Sequence, residues 1–254
     1  MNNVLLVKNL KKIYGGRGAA YTALQGIDLQ IKNGEFVGVM GPSGSGKTTL
    51  LNLIATIDRP TEGEILIGGK DVVSMKESEL SSFRRNRLGF IFQDYNLLDN
   101  LTVKENIALP LALAGTNYQE IEEKIDEIVS NLQIKDILNK YPYEISGGQK
   151  QRTAASRAVI NQPELVLADE PTGNLDSKSS RELLEYLVGL NNIYKATILM
   201  VTHDAFAASY CERILFIKDG RLYTELNRGV SRKDFFQKIM DVLKSLGGDV
   251  NDLI

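Results

Sequence analysis

The segment GPSGSGKTT at 41–49 restricts the possible folds of this chain more than any other feature. It matches the pattern G-x-x-x-x-G-K-[ST] and lies between a strand pattern at 35–41 and a helical pattern at 47–57. Glycines permit a tight loop whose backbone N–H groups point at phosphate oxygens, and the following helix directs its positive end to the same place. The segment therefore predicts an α/β domain that binds a nucleotide through its phosphates.

Two side chains of this loop suit the terminal phosphates and their metal ion. We expect the Lys47 amine to bridge the β and γ phosphates and the Thr48 hydroxyl to ligate Mg²⁺. The other residues of the loop are predicted to surround the nucleotide: Gly41, Pro42, Ser43, Gly44, Ser45, Gly46 and Thr49.

Polar residues follow three further apolar strand patterns. LVLADE at 165–170 ends in two carboxylates, and we expect Asp169 to reach Mg²⁺ through water and Glu170 to polarise an attacking water. His203, the only histidine in the chain, follows TILMVT, where parallel sheets place ligands, which predicts a γ-phosphate contact. Gln93, after LGFIF, is predicted to reach Mg²⁺ or the attacking water. Together these residues predict hydrolysis of the nucleotide.

ISGGQKQR at 145–152 predicts a second helix start that binds anions, on a helix running to about Ile160. A single chain has no evident second phosphate for it. In a head-to-tail dimer, each such segment would close over the γ phosphate that the other chain holds. We therefore predict a nucleotide-dependent homodimer, in which four residues of this segment contact the nucleotide: Ser146, Gly147, Gly148 and Gln149.

The order of strand and helix patterns predicts one α/β domain with an inserted lobe. Patterns at 4–9, 24–31 and 63–67 predict an antiparallel element, and apolar runs at 165–169 and 197–203 are typical of central parallel strands. Residues 213–223 indicate a hairpin. Between about 94 and 160 the pattern is helical, as at 121–132, where one face carries Ile121, Ile125, Ile128, Val129 and Leu132. The predicted fold is a P-loop NTPase core with a mixed, mostly parallel sheet, an N-terminal antiparallel β element and a helical lobe.

The tail at 227–254 is predicted to form an amphipathic helix after the main domain at 1–226. Ser231 is the expected N-cap and Gly247 the expected stop. Apolar residues recur there at helical spacing: Phe235, Phe236, Ile239, Met240, Leu243 and Leu246. Packing on the chain's own domain is the favoured interpretation, and docking on a partner is the alternative. A membrane-surface helix is disfavoured because its polar face mixes acids with bases.

Composition excludes some functions and predicts a location. Thirty basic residues against thirty-two acidic ones argue against a nucleic-acid partner. We find no apolar stretch of membrane-spanning length and no signal-peptide pattern, so we expect a cytoplasmic protein. A single cysteine, Cys211, fits a reducing compartment and is expected to be a small apolar residue after a helix, not a reactive thiol.

Six segments together resemble the nucleotide-binding domains of ABC transporters. They are GPSGSGKTT (Walker A), Gln93, ISGGQ (signature), LVLADE (Walker B), GNLD (D-loop) and His203, and their order and spacing over about residues 4–226 match that family. The resemblance implies ATP and Mg²⁺ as cofactors, adenine stacking on Tyr14, communication between two sites through Asp176, and an integral membrane permease as partner. It places the chain peripherally on the inner face of the cell membrane. Two departures are Ile145, where leucine is usual, and GNLD, where many transporters have SALD.

Longer strings resemble the ATPases of Bce-type transporters, which protect Gram-positive bacteria against bacitracin and lantibiotic peptides. They include FIFQDYNLLDNLTVKENI, YPYEISGGQKQRTAASRA and the DFFQKIM of the tail. This resemblance implies a sensor histidine kinase reached through the permease. GNLD also leaves open a lipoprotein-release or macrolide-efflux type, and a nucleotide-gated signalling module is a further alternative.

The segment at 94–106 is the candidate surface for coupling to the permease. Its apolar cluster consists of Tyr95, Leu97, Leu98 and Leu101. The alternative is that these residues cover the lobe's own core.

Overall fold

The computed structural model describes residues 3–16, 19–132 and 134–247, without the side chains of 130–132. The Leu132 side chain and the predicted tail beyond 247 therefore lie outside the described residues. The strands are β1 (Asn3–Tyr14), β2 (Tyr21–Lys32), β3 (Phe36–Met40), β4 (Glu62–Ile67), β5 (Lys70–Asp71), β6 (Leu88–Phe92), β7 (Leu165–Asp169), β8 (Ile198–Val201), β9 (Arg213–Lys218) and β10 (Arg221–Asn227). The helices are α1 (Lys47–Ile54), α2 (Glu77–Arg87), α3 (Val103–Leu113), α4 (Tyr118–Leu132), α5 (Gly147–Val159), α6 (Ser177–Tyr194), α7 (Ala205–Ala208) and α8 (Arg232–Ser245).

A six-stranded sheet in the order β10-β9-β3-β8-β7-β6 contains the predicted central strands. Strands β9, β3, β8, β7 and β6 run parallel, and β10 pairs antiparallel with β9 as the predicted hairpin. Asp169 pairs with Phe92 on one side and with Val201 on the other. The carboxyl ends of β6, β7 and β8 therefore meet at one edge of the sheet, which confirms the predicted mixed, mostly parallel core.

The predicted antiparallel element is a separate four-stranded sheet in the order β2-β1-β4-β5. Strands β1 and β2 are longer than their apolar patterns because irregular residues lie inside them. Asn9 (φ 45°) and Gly26 (φ 93°) adopt left-handed conformations at positions where the pairing register shifts. A bulge of this kind interrupts the alternation of apolar residues without ending the strand, so the pattern alone predicts ends that are too early.

The first helix is shorter than its sequence pattern. α1 ends at Ile54, and Thr56 adopts φ 57°, which takes the chain out of the helical conformation before residue 57.

The helical lobe consists of α3, α4, α5 and two single 3₁₀ turns, Lys135–Ile137 and Pro142–Glu144. Its buried residues form their own cluster, separate from the two clusters on the faces of the large sheet, and include Val103, Ile107, Leu111, Ile121 and Ile125. Residues 94–101 at the start of the predicted lobe are not helical. Asn106 holds this segment in place: its fully buried amide donates to the carbonyls of Leu98 and Leu101 and accepts from the Leu98 N–H at 2.8 Å.

The tail helix α8 packs on the domain from which it extends. Ser231 caps it by accepting a hydrogen bond from the Asp234 N–H. Phe235, Ile239 and Leu243 are buried in the same apolar cluster as α6 and β8. The favoured interpretation of the apolar spacing is thus correct for the described part of the tail.

Among the described residues, none of the helices combines the length and the apolar character needed to cross a bilayer.

Cys211 is fully buried after α7, and burial raises the pKa of its thiol, in keeping with an apolar structural residue.

Candidate functional site

The phosphate loop at 41–46 connects β3 to α1 and is held from two sides. Gly46 (φ 103°) is the residue before α1, and a Cβ there would lie 2.6 Å from the Ala23 carbonyl oxygen on β2. On the other side, the Gly220 N–H of the β9–β10 turn donates to the Ser45 carbonyl at 3.1 Å. The Ser45 side chain is buried, and its hydroxyl has no hydrogen-bond partner among the described residues. Neighbouring strands therefore fix the curvature of the loop around the start of α1.

The Lys47 amine is turned back onto the loop. It donates to the carbonyl oxygens of Gly41 and Pro42 at 2.8 and 2.9 Å. Burial lowers the pKa of this amine, and the charges of Glu170 and Asp169 act in the opposite direction. The amine thus lies at the centre of the loop, close to both predicted carboxylates, while the Thr48 side chain is exposed at the start of α1.

The two carboxylates leave the end of β7 in different ways. Asp169 is the last residue of the strand, and Glu170 follows it with a left-handed φ of 43°. Burial and then the charge of Glu170 raise the pKa of Asp169, whereas Lys47 lowers it. Glu170 Oε1 lies 2.9 Å from His203 Nδ1, and Oε2 accepts a hydrogen bond from the His203 N–H at 3.3 Å. The predicted base and the predicted histidine therefore form a direct pair.

Gln93 lies just beyond β6 and is tied to the D-loop. Its amide donates to the Asn174 side chain at 3.3 Å, and the Asn174 amide donates to the Gln93 carbonyl and to Asp94. Asn174 is one of the two residues, with Gly173, at which GNLD departs from SALD, and it provides a fixed link between Gln93 and the D-loop. The departure was visible in the sequence, but the link to Gln93 was not predicted.

Tyr14 is half-exposed at the end of β1, beside the phosphate loop. Its hydroxyl donates to Asp58 at 2.9 Å, and the Lys12 amine, itself paired with Asp58, lies 4.8 Å from the ring centre. Burial, the hydrogen bond to Asp58 and its charge raise the pKa of Tyr14, while a hydrogen bond with Thr49 lowers it. The ring is therefore fixed next to α1, with Lys12 over one of its faces.

Tyr21 is a further aromatic residue at this site that the motifs did not indicate. It is the cross-strand neighbour of Tyr14 in the β1–β2 pair, and its hydroxyl donates to the Gly44 carbonyl at 3.2 Å.

The signature segment starts α5 with a complete capping box. The Gln149 N–H donates to Ser146 Oγ at 3.3 Å, and the Ser146 N–H donates to the Gln149 side chain at 2.9 Å. Gly147 lies against Tyr95 and the D-loop, since a Cβ there would meet Tyr95 Oη at 3.0 Å and the Leu175 side chain at 3.8 Å. Gly148 lies against α6, since a Cβ there would meet Ser179 Oγ at 2.7 Å.

Asp176 caps α6 with its side chain. Its carboxylate accepts hydrogen bonds from the N–H groups of Lys178 and Ser179 and from the Ser179 hydroxyl at 2.7 Å, and the hydroxyl bond holds its pKa below the usual range. These bonds fix the end of the D-loop beside the signature segment.

The predicted site residues fall into two groups. Lys47, Asp169, Glu170 and His203 lie around the phosphate loop, with Tyr14 at its side. Ser146, Gly147, Gly148 and Gln149 lie with Asp176 at the start of α5 and α6. No hydrogen bond or ion pair within the described residues joins the signature segment to the phosphate loop of the same chain.

One buried side chain connects two parts of the site that belong to different sequence motifs. Gln151, fully buried on α5, donates through its amide to the carbonyls of Phe92 at 3.1 Å and Pro171 at 2.7 Å. These carbonyls lie next to Gln93 and Glu170. A polar residue at a helical position gave no signal of this role, because both partners are distant in sequence.

Comparison with known proteins assigns the family. The family model described as ABC transporter matches residues 24–173. YvcR of Bacillus subtilis, an uncharacterised ABC transporter ATP-binding protein, is 56% identical, with 98% of this chain and 97% of YvcR covered. The bacitracin export ATP-binding protein BceA of Halalkalibacterium halodurans is 52% identical, with 98% of this chain and 99% of BceA covered.

Solved structures agree with this assignment. A dimeric structure of the ABC transporter cassette MJ0796 of Methanocaldococcus jannaschii has a TM-score of 0.80 and 40% identity, covering 89% of this chain and 99% of that one. The same cassette is known as a dimer in a post-hydrolysis state with ADP and phosphate. Fold, motifs and relatives lead to one conclusion: this chain belongs to the ABC transporter family, as an ATP-binding and ATP-hydrolysing subunit.

Proposed function

We propose that two copies of this chain bind two MgATP molecules head to tail and use their hydrolysis to drive a membrane permease. The observation that carries the proposal is the separation of the two helix starts that suit anions. Among the residues that the structure describes, no hydrogen bond or ion pair joins the Walker A loop to the signature segment of the same chain, although each offers backbone N–H groups at the positive end of a helix. A second chain is needed to bring Ser146 to the γ phosphate.

ATP binding would change the partners of Lys47. Its amine leaves the Gly41 and Pro42 carbonyls and turns to the β and γ phosphates, which offer a stronger charge-assisted contact. The N–H groups of the loop bind the same phosphates, and the Tyr14 face opposite Lys12 stacks on adenine.

The residues present fit a magnesium ion. A hydroxyl, a carboxylate and an amide oxygen, from Thr48, Asp169 and Gln93, are hard oxygen donors of the kind that Mg²⁺ takes together with phosphate and water. The raised pKa of Asp169, caused by burial and by Glu170, is a condition that a nearby divalent cation would relieve. When bound, the ion neutralises charge that develops on the phosphates.

Hydrolysis would depend on Glu170 and His203. Glu170 accepts a proton from the attacking water, and the His203 pair holds its carboxylate in a fixed orientation. His203 also contacts the γ phosphate. Asp176, at the cap of α6, lies in the D-loop that would connect the two sites of the dimer.

The partner that best fits these features is an integral membrane permease, contacted from the cytoplasmic face of the membrane. Support comes from BceA, whose name assigns it to bacitracin export and which matches this chain almost from end to end. We therefore propose a role in resistance to peptide antibiotics of the bacitracin or lantibiotic type, with a sensor histidine kinase associated through the permease.

The Glu170→Gln variant tests the dimer proposal. Loss of the general base should lower the ATPase kcat by a factor of about 100 or more, while MgATP still binds, so a stable dimer should accumulate. Size-exclusion chromatography with light scattering, with and without MgATP, measures this.

A matched control is Glu185→Gln, the same change at an exposed position on α6. It should hydrolyse ATP like the unaltered chain and accumulate no dimer. If Glu170→Gln bound MgATP but remained monomeric at high protein concentration, the head-to-tail arrangement would be wrong. Lys47→Ala should instead lose nucleotide binding itself.

A further inference from the structure

The catalytic histidine is followed directly by a helix too short to hold itself in place. α7 has four residues, Ala205–Ala208, and a single turn has little stability without tertiary contacts. Asp204, next to His203, caps this turn by accepting a hydrogen bond from the Phe206 N–H at 2.7 Å. This bond ties the backbone of Phe206 to the residue that directly follows His203.

The tail helix packs against α7, which also contacts β3. The Arg232 guanidinium lies 4.2 Å from the centre of the Tyr210 ring and 5.8 Å from that of Phe206. The two rings pack edge to face with centres 5.4 Å apart. Arg228, just before α8, donates to the Tyr210 carbonyl at 2.9 Å. The tail thus contacts Phe206 within α7 and Tyr210 two residues after its end.

Arg232 is itself held in a defined position. It is the first residue of α8, directly after the Ser231 cap, and Phe235 one turn later is buried in the domain core. On the other side of α7, Phe206 lines the same cleft of about 590 Å³ as Glu170 and His203. A continuous path of contacts therefore leads from the tail helix to the Glu170–His203 pair.

We infer that Arg232 is a positioning residue for hydrolysis: through Phe206 and Tyr210 it fixes α7, and through α7 it sets the position of His203 against Glu170. The inference rests on the role proposed above for His203. It gives the tail a part in catalysis without contact to the nucleotide.

The expected effect is on turnover and not on ATP affinity. Loss of a cation–π contact at a partly exposed site changes a rate about two- to fivefold if the contact is needed in the transition state. Arg232→Ala should therefore lower kcat about two- to fivefold with an unchanged KM for ATP, because the phosphate loop and Tyr14 are untouched. Arg232→Lys, which keeps a cation without the planar stack, should fall between.

The chain offers a direct spectroscopic probe of this position. His203 is the only histidine, so an untagged protein gives a single imidazole ¹³Cε1–¹Hε1 resonance. We expect Arg232→Ala to shift or broaden this resonance at an unchanged unfolding midpoint. Lys233→Ala, an exposed neighbour on the same turn of α8, should leave the resonance and kcat as they are.

The inference is overturned if Arg232→Ala matches Lys233→Ala in both readouts, if the resonance moves without a change in kcat, or if kcat falls only as the unfolding midpoint falls. A separate variant, His203→Ala, tests the underlying role. Wild-type turnover in His203→Ala would remove the catalytic assignment of His203, whereas a stationary resonance in Arg232→Ala would remove the inference about the tail alone.

Discussion

Individual residues of the site are arranged for ligand binding at a cost in stability. Asp169 and Glu170 are adjacent carboxylates at the end of a buried strand, with Lys47 as their neighbouring cation. The ionised form of Asp169 is disfavoured by burial and by Glu170. Such a residue is expected to destabilise the ligand-free chain and to be stabilised when a cation binds.

Asp169→Asn separates stability from activity. In the absence of Mg²⁺, the neutral amide should raise the unfolding midpoint, because it removes a disfavoured charge at nearly the same volume. Magnesium-dependent hydrolysis should fall by a factor of about 100 or more, as expected when a catalytic carboxylate is lost. Differential scanning fluorimetry with and without MgATP, together with an ATPase assay, measures both.

MgATP should stabilise the variant less than the unaltered chain, since stabilisation by a ligand follows its affinity. Asp99→Asn, at an exposed position, provides the control for the loss of one negative charge. A lower unfolding midpoint for Asp169→Asn without Mg²⁺ would show that the ionised carboxylate stabilises the chain.

Residues in motifs could be placed from the sequence because the chemistry of a phosphate site requires certain types at fixed spacings. Lys47, Asp169, Glu170 and His203 lie together as those motifs predict. Residues that support the motifs could not be found in this way. The link from Asn174 to Gln93 depends on a partner 81 residues away, and a single sequence contains no signal of such a distance.

At the level of elements, helix α5 holds the end of one strand against the turn after another. Gln151 donates to the Phe92 carbonyl at the end of β6 and to the Pro171 carbonyl after β7. Without this amide, both carbonyls would lose a hydrogen-bond donor in a site with little access to water. Together with the β6–β7 strand pairing, this buried side chain therefore fixes the position of Gln93 relative to Glu170.

Gln151→Leu should lower the free energy of unfolding by about 2 kcal/mol, because it removes a donor from the buried Pro171 carbonyl and from the partly buried Phe92 carbonyl. In a chain of this size that corresponds to a fall of about 4–8 °C in the unfolding midpoint. Thermal and urea denaturation followed by circular dichroism measure the change.

The same substitution at Gln237, which is exposed on α8, should shift the midpoint by less than about 1 °C. Equal midpoints for the Gln151→Leu and Gln237→Leu variants would mean that the buried hydrogen bonds contribute nothing net to stability.

Elements in which apolar residues recur at a regular spacing could be predicted from the sequence, whereas irregular elements could not. The apolar runs of β7 and β8 and the apolar face of α8 correspond to observed elements, since burial on a sheet or helix imposes their spacing. The two-residue strand β5 and the one-turn helix α7 are too short to show a period. Their existence depends on the elements that pack against them.

At the level of the whole molecule, the lobe presents an exposed apolar residue five positions after Gln93. Leu98 is 45% exposed, whereas Tyr95, Leu97 and Leu101 of the same segment are partly buried. Since the buried Asn106 amide fixes the backbone of Leu98, its side chain is held outward on an ordered loop. Leu98 is thus the member of the proposed coupling surface that is most available to a permease.

Leu98→Ser should lower permease-stimulated hydrolysis about tenfold or more, the effect of losing an apolar anchor at an interface. Hydrolysis by the isolated chain and its ATP affinity should not change, because the side chain does not reach the nucleotide site. Stimulated and basal rates in membranes containing the co-purified permease measure the difference.

Leu222→Ser, on the edge strand β10, changes an apolar residue of similar exposure far from the lobe. Stimulation should be normal in this variant. Normal stimulation in Leu98→Ser as well would assign the segment at 94–106 to covering the lobe's own core.

The phosphate loop is held by the β9–β10 turn on one side and by β2 on the other, and this has a consequence for nucleotide exchange. With Ser45 bonded to the β9–β10 turn and Gly46 seated against β2, the backbone is already bent as the ligand requires. ATP binding therefore costs little conformational entropy in this loop, and ADP release does not require the loop to rearrange. The rearrangement that ATP binding requires in this loop is therefore reduced to the rotation of one flexible side chain, which moves the Lys47 amine off two carbonyl oxygens.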